Sequence, residues 1–336
     1  TDDRWRPAEP DQISGNHWST FCVLPGGDRI LLGGGQSGAR GLGSLSLIDV
    51  NTHRVLDVVT LEAMAQRGIA HPDKSFALIP LVNGDVVRCD IRDDQLEVTP
   101  VVFDFPKSWD PEKDKRFAHR IIYAPAGQRF YVGLKVGTDS IGRGAVGVID
   151  EDGQIGKVYE TGVERGIYSM AISPAGDLLA VGTFGSLLSR PQLCIFQIGE
   201  EKEHLGPARL FQTDFPSLIY DLVFHPDGNS LFVAGNHKNI LRLTFAPPAL
   251  ADEQDFQSID METLYGHFHS VARVMISNSG RRLISFGLDG LVCVWDLQSG
   301  QLLTKREFSG LKMSDMAKDL ESNRLLLLID DQIVDP

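Results

Sequence analysis

The sequence predicts an all-β chain assembled from one antiparallel meander used repeatedly, and two observations carry that prediction. An apolar strand running into a tight turn recurs at intervals of about 50 residues, with Pro25, Pro72, Pro125, Pro174, Pro226 and Asn278 at the turn position. Each turn is then followed by an apolar second strand and by a third strand that ends on a large apolar residue. Proline presets the turn backbone and Gly, Lys or Asp closes it, so a single hairpin device is reused along the chain.

Taken in order, the segments that run into the turns are 21–28, 68–74, 121–128, 170–177, 222–229 and 274–281. Second strands are expected at Arg29 to Leu32, Phe76 to Leu81, Arg129 to Leu134, Leu178 to Val181, Ser230 to Ala234 and Leu283 to Phe286. The third strands reach Ile48, Cys89, Ile149, Phe196, Leu243 and Trp295. The tail adds apolar runs at 313–320, 324–329 and 332–334, which make three strands and stop before a fourth.

The stretch from Leu264 to Leu297 reads most clearly. It opens on Gly266-His267, alternates through Val271, Val274 and Ile276, turns at Asn278-Ser279-Gly280 and runs apolar again from Leu283 to Phe286. A tight turn at Asp289-Gly290 leads into Leu291 to Trp295, closed by Asp296. This stretch resembles a WD repeat, and the chain resembles a WD40 β-propeller. The resemblance implies a structural tetrad of His267, Ser285, Asp289 and Trp295. A buried imidazole, carboxylate and indole each need a partner, so satisfying them together would lock the sheet. The five earlier repeats lack the His and Trp at the matching places and would rest on apolar packing.

The resemblance also implies a seven-bladed β-propeller forming one domain over residues 1–336. The expected blades are 16–60, 61–105, 115–162, 164–213, 216–263 and 264–308, with a seventh from 310–336 completed by residues 1–14. Seven is preferred over six because the tail lacks an outer strand that the segment around Trp5 to Ile13 would supply, removing the open edge.

Composition narrows the function. A formal charge of −13 disfavours nonspecific attraction to nucleic acid or acidic membrane. No apolar run approaches the roughly 18 residues a spanning helix needs. Cys22, Cys89, Cys194 and Cys293 show no CxxC spacing and fall inside apolar strand patterns, as expected of buried thiols in a reducing, cytoplasmic setting.

Little points to catalysis. His267 and His269 stand two apart, a spacing open to a metal, but His267 is claimed by the tetrad and no third ligand is nearby. The Asp-Gly pairs are turn chemistry, and no G-x-S-x-G signature occurs. No cofactor or metal is expected. Three excursions interrupt the meanders: a glycine-rich loop from Gly33 to Gly43 without the Gly-Lys-Ser/Thr ending of a phosphate loop, a charged segment from Asp104 to Lys115 around Trp109, and an acidic segment from Ala246 to Glu262. The last is read as a solvated connector or a docking tail.

One pattern is sharper. Five residues before each turn position stands a polar side chain: Thr20, Arg67, Arg120, Ser169, Asp221 and Arg273. In a propeller the first strand of each blade lines the channel, so these would form a ring near one mouth, flanked by Ser19, Gln66, His119, Tyr168 and Tyr220. The partner-binding residues expected there are Arg67, His119, Arg120, Tyr168, Tyr220, Asp221 and Arg273. Guanidinium forks suit carboxylate or phosphate; equally, the arginines would pair with Asp221 and bind nothing else. The leading expectation is a noncatalytic scaffold or recognition domain for a protein or peptide, with an acidic segment suiting the arginines, acting in a hetero-complex or a longer multidomain protein. The alternatives are a lactonase- or hydrolase-like propeller enzyme with a metal in the channel, and a sensor domain of a bacterial signalling or defence protein.

Overall fold

The computed structural model describes residues 4–5, 17–35, 42–52, 54–110, 114–137, 142–185, 190–198, 205–215, 217–244, 260–277, 279–308, 313–318, 325–329 and 332–334. Among them the regular structure is β throughout, apart from a 3₁₀ turn at Pro125–Gly127.

In chain order, β1 (Arg4–Trp5) precedes a sheet of β2 (His17–Val23), β3 (Arg29–Gly35), β4 (Gly43–Asp49) and β5 (Arg54–Leu61). The next sheet contains β6 (Ile69–Ala70), β7 (Phe76–Pro80), β8 (Val86–Arg92) and β9 (Gln95–Pro100). After β10 (Val102–Asp104) come β11 (Arg116–Ala124), β12 (Arg129–Val136), β13 (Arg143–Ile149) and β14 (Ile155–Glu160). A fourth group holds β15 (Ile167–Ile172), β16 (Leu178–Thr183), β17 (Gln192–Ile198) and β18 (Leu205–Asp214). A fifth holds β19 (Ile219–Phe224), β20 (Ser230–Gly235), β21 (His237–Thr244) and β22 (Asp260–Tyr265). A sixth holds β23 (Val271–Ile276), β24 (Arg282–Gly287), β25 (Leu291–Asp296) and β26 (Leu302–Glu307). The tail strands β27 (Met313–Lys318), β28 (Leu325–Ile329) and β29 (Gln332–Val334) share a sheet with β1, which lies antiparallel to β29 with Arg4 opposite Val334 and Trp5 opposite Ile333. Residues 6–13, the rest of the expected closing segment, lie outside the described residues.

In three of the meanders the second strand is covered on both faces along its whole length. Every residue of β7, β16 and β20 is buried. The fourth strand, at the outer edge, alternates or is exposed, as in β5 and β26. Cores form between adjacent sheets: Phe76 and Leu78 of β7 pack with Phe130, Val132 and Ile121 of the following sheet. All four cysteines are buried and none is in a disulfide.

The hairpin closes in the same way in the fourth, fifth and sixth units. Ser173 N–H donates to Leu178 O at 2.9 Å and Gly176 N–H to Ser173 O at 2.9 Å; the matching bonds are His225 to Ser230 and Gly228 to His225, then Ser277 to Arg282 and Gly280 to Ser277. Gly228 holds a φ of +76°, which a residue with a Cβ rarely adopts. The residue before the turn position adds a side-chain acceptor: Ser173 Oγ takes the Leu178 N–H at 2.9 Å, His225 Nδ1 the Asp227 N–H at 3.2 Å, and His71 Nδ1 the Asp73 and Lys74 N–H groups at 3.0 and 3.1 Å.

The described part of the charged excursion, 104–110 with 114–115, is a packed strap. Its leading strand β10 pairs in parallel with β14, so Val102–Asp104, expected in the second unit, extends the third sheet to five strands. Phe103 fits because Gly147 and Gly156 leave room beneath it, and a Cβ on Gly156 would meet Phe103 Cε1 at 2.4 Å. Arg116 lies 3.9 Å over the Phe105 ring, and Trp109 Nε1 donates to Glu160 at 2.6 Å. Residues 36–41 of the glycine-rich loop and 246–259 of the acidic segment lie outside the described residues.

Candidate functional site

The first strands are neighbours in sequence order. β27 touches β2, β2 touches β6, β6 touches β11, and contact continues through β15 and β19 to β23. In each of β2, β11, β15, β19, β23 and β27 the pairing slips by one residue near the start of the strand, immediately before Thr20, Arg120, Ser169, Asp221, Arg273 and Asp315. A bulge of this kind re-aims the extra residue and its successor. In five of the six repeats the polar position found in the sequence is therefore the residue just after a bulge, and His119, Tyr168 and Tyr220 are the bulged residues before it, while Arg67 precedes β6 and bridges to Arg120. The same register puts Asp315 of β27 at the corresponding place.

Arg67, Arg120, Asp221 and Arg273 come together on the wall of one cavity of about 510 Å³. Arg120 Nη1 donates to Asp221 Oδ1, and Arg273 Nη1 stands 4.0 Å from Asp221 Oδ2. The carboxylate also accepts the N–H groups of Leu222 at 3.0 Å and Val274 at 3.1 Å. Burial alone would raise the Asp221 carboxyl, but Arg120, Arg273 and Arg67, with the Val274 N–H, hold it below the usual carboxylate range. Arg67 Nη1 donates to the Tyr220 carbonyl at 2.9 Å. Ser169 Oγ donates to Ile219 O at 3.0 Å, and Thr20 Oγ1 donates to the Gln66 carbonyl, so these two hydroxyls tie neighbouring sheets together.

On the other side of this cluster, at the starts of the first strands, the bulged residues gather into aromatic contacts. His119 lies 5.6 Å from the Tyr168 ring and 4.8 Å from Phe184, Phe184 meets Tyr168 edge to face at 5.0 Å, and Tyr168 lies 6.1 Å from Tyr220. Lys135 Nζ sits over Phe117 at 4.9 Å and Phe184 at 5.7 Å. Burial, with Lys135 and Arg67 adding to it, pushes the His119 imidazole down to about 4, so it is neutral near pH 7. Phe184, Lys135 and Phe117 were not signalled by the residues five before the turn. They follow or lie within second strands or precede the bulge, and a search for aromatics near strand ends would have found Phe117 and Phe184 but not Lys135.

The tetrad residues are also in contact. Trp295 Nε1 donates to Ser285 Oγ at 2.9 Å, Ser285 Oγ lies 2.8 Å from His267 Nε2, and His267 Nδ1 lies 3.1 Å from both Asp289 oxygens. Asp289 also accepts the Phe268 N–H at 2.9 Å and the Leu291 N–H at 3.1 Å. Because a carboxylate only accepts, Nδ1 carries the imidazole proton, Nε2 accepts from the serine hydroxyl, and the serine oxygen accepts from the indole. Burial lowers the His267 imidazole, with Asp289 opposing, which keeps this tautomer neutral. His269 contributes its backbone N–H to Asp289 at 3.4 Å. Among the described residues no group of three or more His, Cys, Asp and Glu side chains converges as metal ligands.

Residues 260–296 match the family model described as WD domain, G-beta repeat. This segment is similar to a WD40 repeat. The match covers β22, β23, β24 and β25 with the loop and the turn that hold His267 and Asp289, and so spans the whole tetrad. No curated protein matches the chain. WD40 repeats generally serve protein–protein interaction and are typically noncatalytic, and the internally satisfied tetrad of this segment accords with a structural role for its His and Asp.

Proposed function

We propose that the chain is a noncatalytic interaction platform: one domain over residues 1–336, a seven-bladed β-propeller closed where β1 meets β29, acting in the cytoplasm as a subunit of a hetero-complex. Its partner is a protein or peptide that docks where the first strands begin, against His119, Tyr168, Phe184 and Tyr220, with an acidic segment directed at Arg67, Arg120 and Arg273 beside Asp221. The observation that carries this reading is the run of aromatic rings that bulges in three consecutive first strands present at one mouth. Aromatic groups of this kind bury large area at low entropic cost and serve as binding anchors. A hydrolase reading would need carboxylates where the three guanidiniums stand, since a divalent cation takes oxygen ligands.

The test is affinity purification of the tagged protein from its native cells beside a Tyr168→Ala/Phe184→Ala variant. The reading predicts a defined set of co-purifying proteins that falls at least tenfold in the variant while its melting temperature stays close to the parent's. An identical set from both proteins would contradict it.

A further inference from the structure

Lys135, near the end of β12, brings a cation to the aromatic mouth from a strand that is otherwise almost wholly apolar and buried. Its stem runs between two glycines. A Cβ on Gly166 would meet Lys135 Cβ and Cγ at 2.4 Å, and one on Gly142 would meet Cγ at 2.7 Å and Cε at 3.0 Å. The bare backbone at these two positions lets the chain close on the stem, so much of the rotamer freedom that a lysine loses on binding is already lost.

The ammonium head is placed but not neutralised. Nζ lies 4.9 Å from the centre of the Phe117 ring and 5.7 Å from that of Phe184. Aromatic faces attract a cation through their quadrupole and carry no net charge. Among the described residues, no carboxylate reaches Lys135 and no hydrogen bond engages its head. Arg143, which also lies over an aromatic ring, is by contrast paired with Asp114 at 2.9 Å, and Lys74 is paired with Asp152 at 3.0 Å.

The surroundings fit one negative charge next to an apolar group. Phe184 meets Tyr168 at 5.0 Å and Tyr168 lies 6.1 Å from Tyr220, so rings continue away from the ammonium. Neither tyrosine hydroxyl has a hydrogen-bond partner among the described residues, which leaves two O–H donors on the same row. His119 is neutral near pH 7 and adds no charge. One ammonium balances one carboxylate, whereas a phosphate carries about −1.5 to −2.

We propose that Lys135 receives the carboxylate of an Asp or Glu in the docked peptide, while an apolar side chain of the same peptide lies on Phe184 and Tyr168. The contact rests on the partner-docking reading of this mouth and adds the residue that selects an acidic peptide there.

Selection of random displayed heptapeptides on the whole protein, on Lys135→Met and on Tyr168→Ala/Phe184→Ala tests it. Methionine keeps an apolar stem over the rings and removes the charge. The parent should enrich peptides that carry Asp or Glu beside an aromatic or aliphatic residue, and Lys135→Met should enrich apolar peptides without the acid. In titrations with a selected peptide, replacing its acid by the amide should weaken binding to the parent about tenfold or more, the worth of a charge-assisted hydrogen bond, and change binding to Lys135→Met little. The exchange made in the peptide needs no protein variant, so a misfolded substitution does not shield the proposal. Peptides that depend on Tyr168 and Phe184 but show no acidic preference, an amide that binds the parent as tightly as the acid, or an undiminished preference in Lys135→Met would overturn the contact and leave the docking reading standing. Failure to select any peptide that depends on those two rings would overturn both.

Discussion

The guanidinium of Arg120 on β11 donates to the carboxylate of Asp221 on β19, which joins two strands that have all of β15 to β18 between them in sequence. Asp221 is buried to 2 % exposure, and its second oxygen accepts from Val274 N–H on β23. One carboxylate therefore links three sheets. Replacing Asp221 with Ala would leave Arg120 without its acceptor and two backbone N–H groups unsatisfied, so urea unfolding should show a loss of roughly 3–5 kcal/mol. Combining it with Arg120→Met should cost less than the sum of the two single changes. Additive effects would mean that the pair is not coupled.

Ser285 holds the tetrad together because it alone touches both ring nitrogens, at 2.9 Å to Trp295 Nε1 and 2.8 Å to His267 Nε2. Ser285→Ala should lower stability by about 1–3 kcal/mol through the two orphaned ring nitrogens. Trp295→Phe removes the donor and leaves serine its other contact, so it should lose packing area without orphaning His267. Near-ultraviolet circular dichroism and chemical unfolding separate the two outcomes, and an unchanged Ser285→Ala protein would refute the network.

Acid should weaken the fold in two stages. The folded-state values of His119 and His267 lie below the ordinary histidine value of 6.5, His119 at about 4. The unfolded chain therefore takes up protons first, and the stability these groups contribute is fully present above about 6.5 and lost as pH falls toward 4. Asp221 and Asp289 are also lowered, from 3.8, so their contribution is lost at lower pH still. Chemical unfolding at pH 7, 6, 5 and 4 should show a steady decline, and His119→Phe should flatten part of it. Stability that is level across this window would contradict the sign.

Phe103 depends on the two glycines beneath it. Gly156→Val should expel the ring and release the strap that carries Trp109, with a red shift of tryptophan emission and faster proteolytic cleavage near 101–110, while the melting temperature of the body moves by only a few degrees. Emission and cleavage like the parent's would show that the strap is held elsewhere.

The sequence made some of this legible for identifiable reasons. His267, Ser285, Asp289 and Trp295 could be found because their chemistry is fixed at set places in one hairpin pair, and the apolar second strands because burial on both faces demands unbroken runs such as Leu178 to Val181. Arg120 and Asp221 were visible as members of a polar series, but their bond was not, since 101 residues separate them and only the curvature of the assembly brings them together. The bulges that aim His119, Tyr168 and Tyr220 leave no mark in composition. Asp315 was missed because the last repeat has no turn proline to count from. The parallel pairing of Val102–Asp104 was missed because a short edge strand reads as the end of the preceding meander.

Hydrogen–deuterium exchange of the purified complex against the free chain tests the central claim most directly. If a partner docks at the aromatic mouth, protection should appear at 117–120, 167–169, 184 and 219–221 and leave the outer strands β5, β9 and β14 unchanged. Protection confined to those outer strands, with the mouth exchanging as in the free chain, would contradict it.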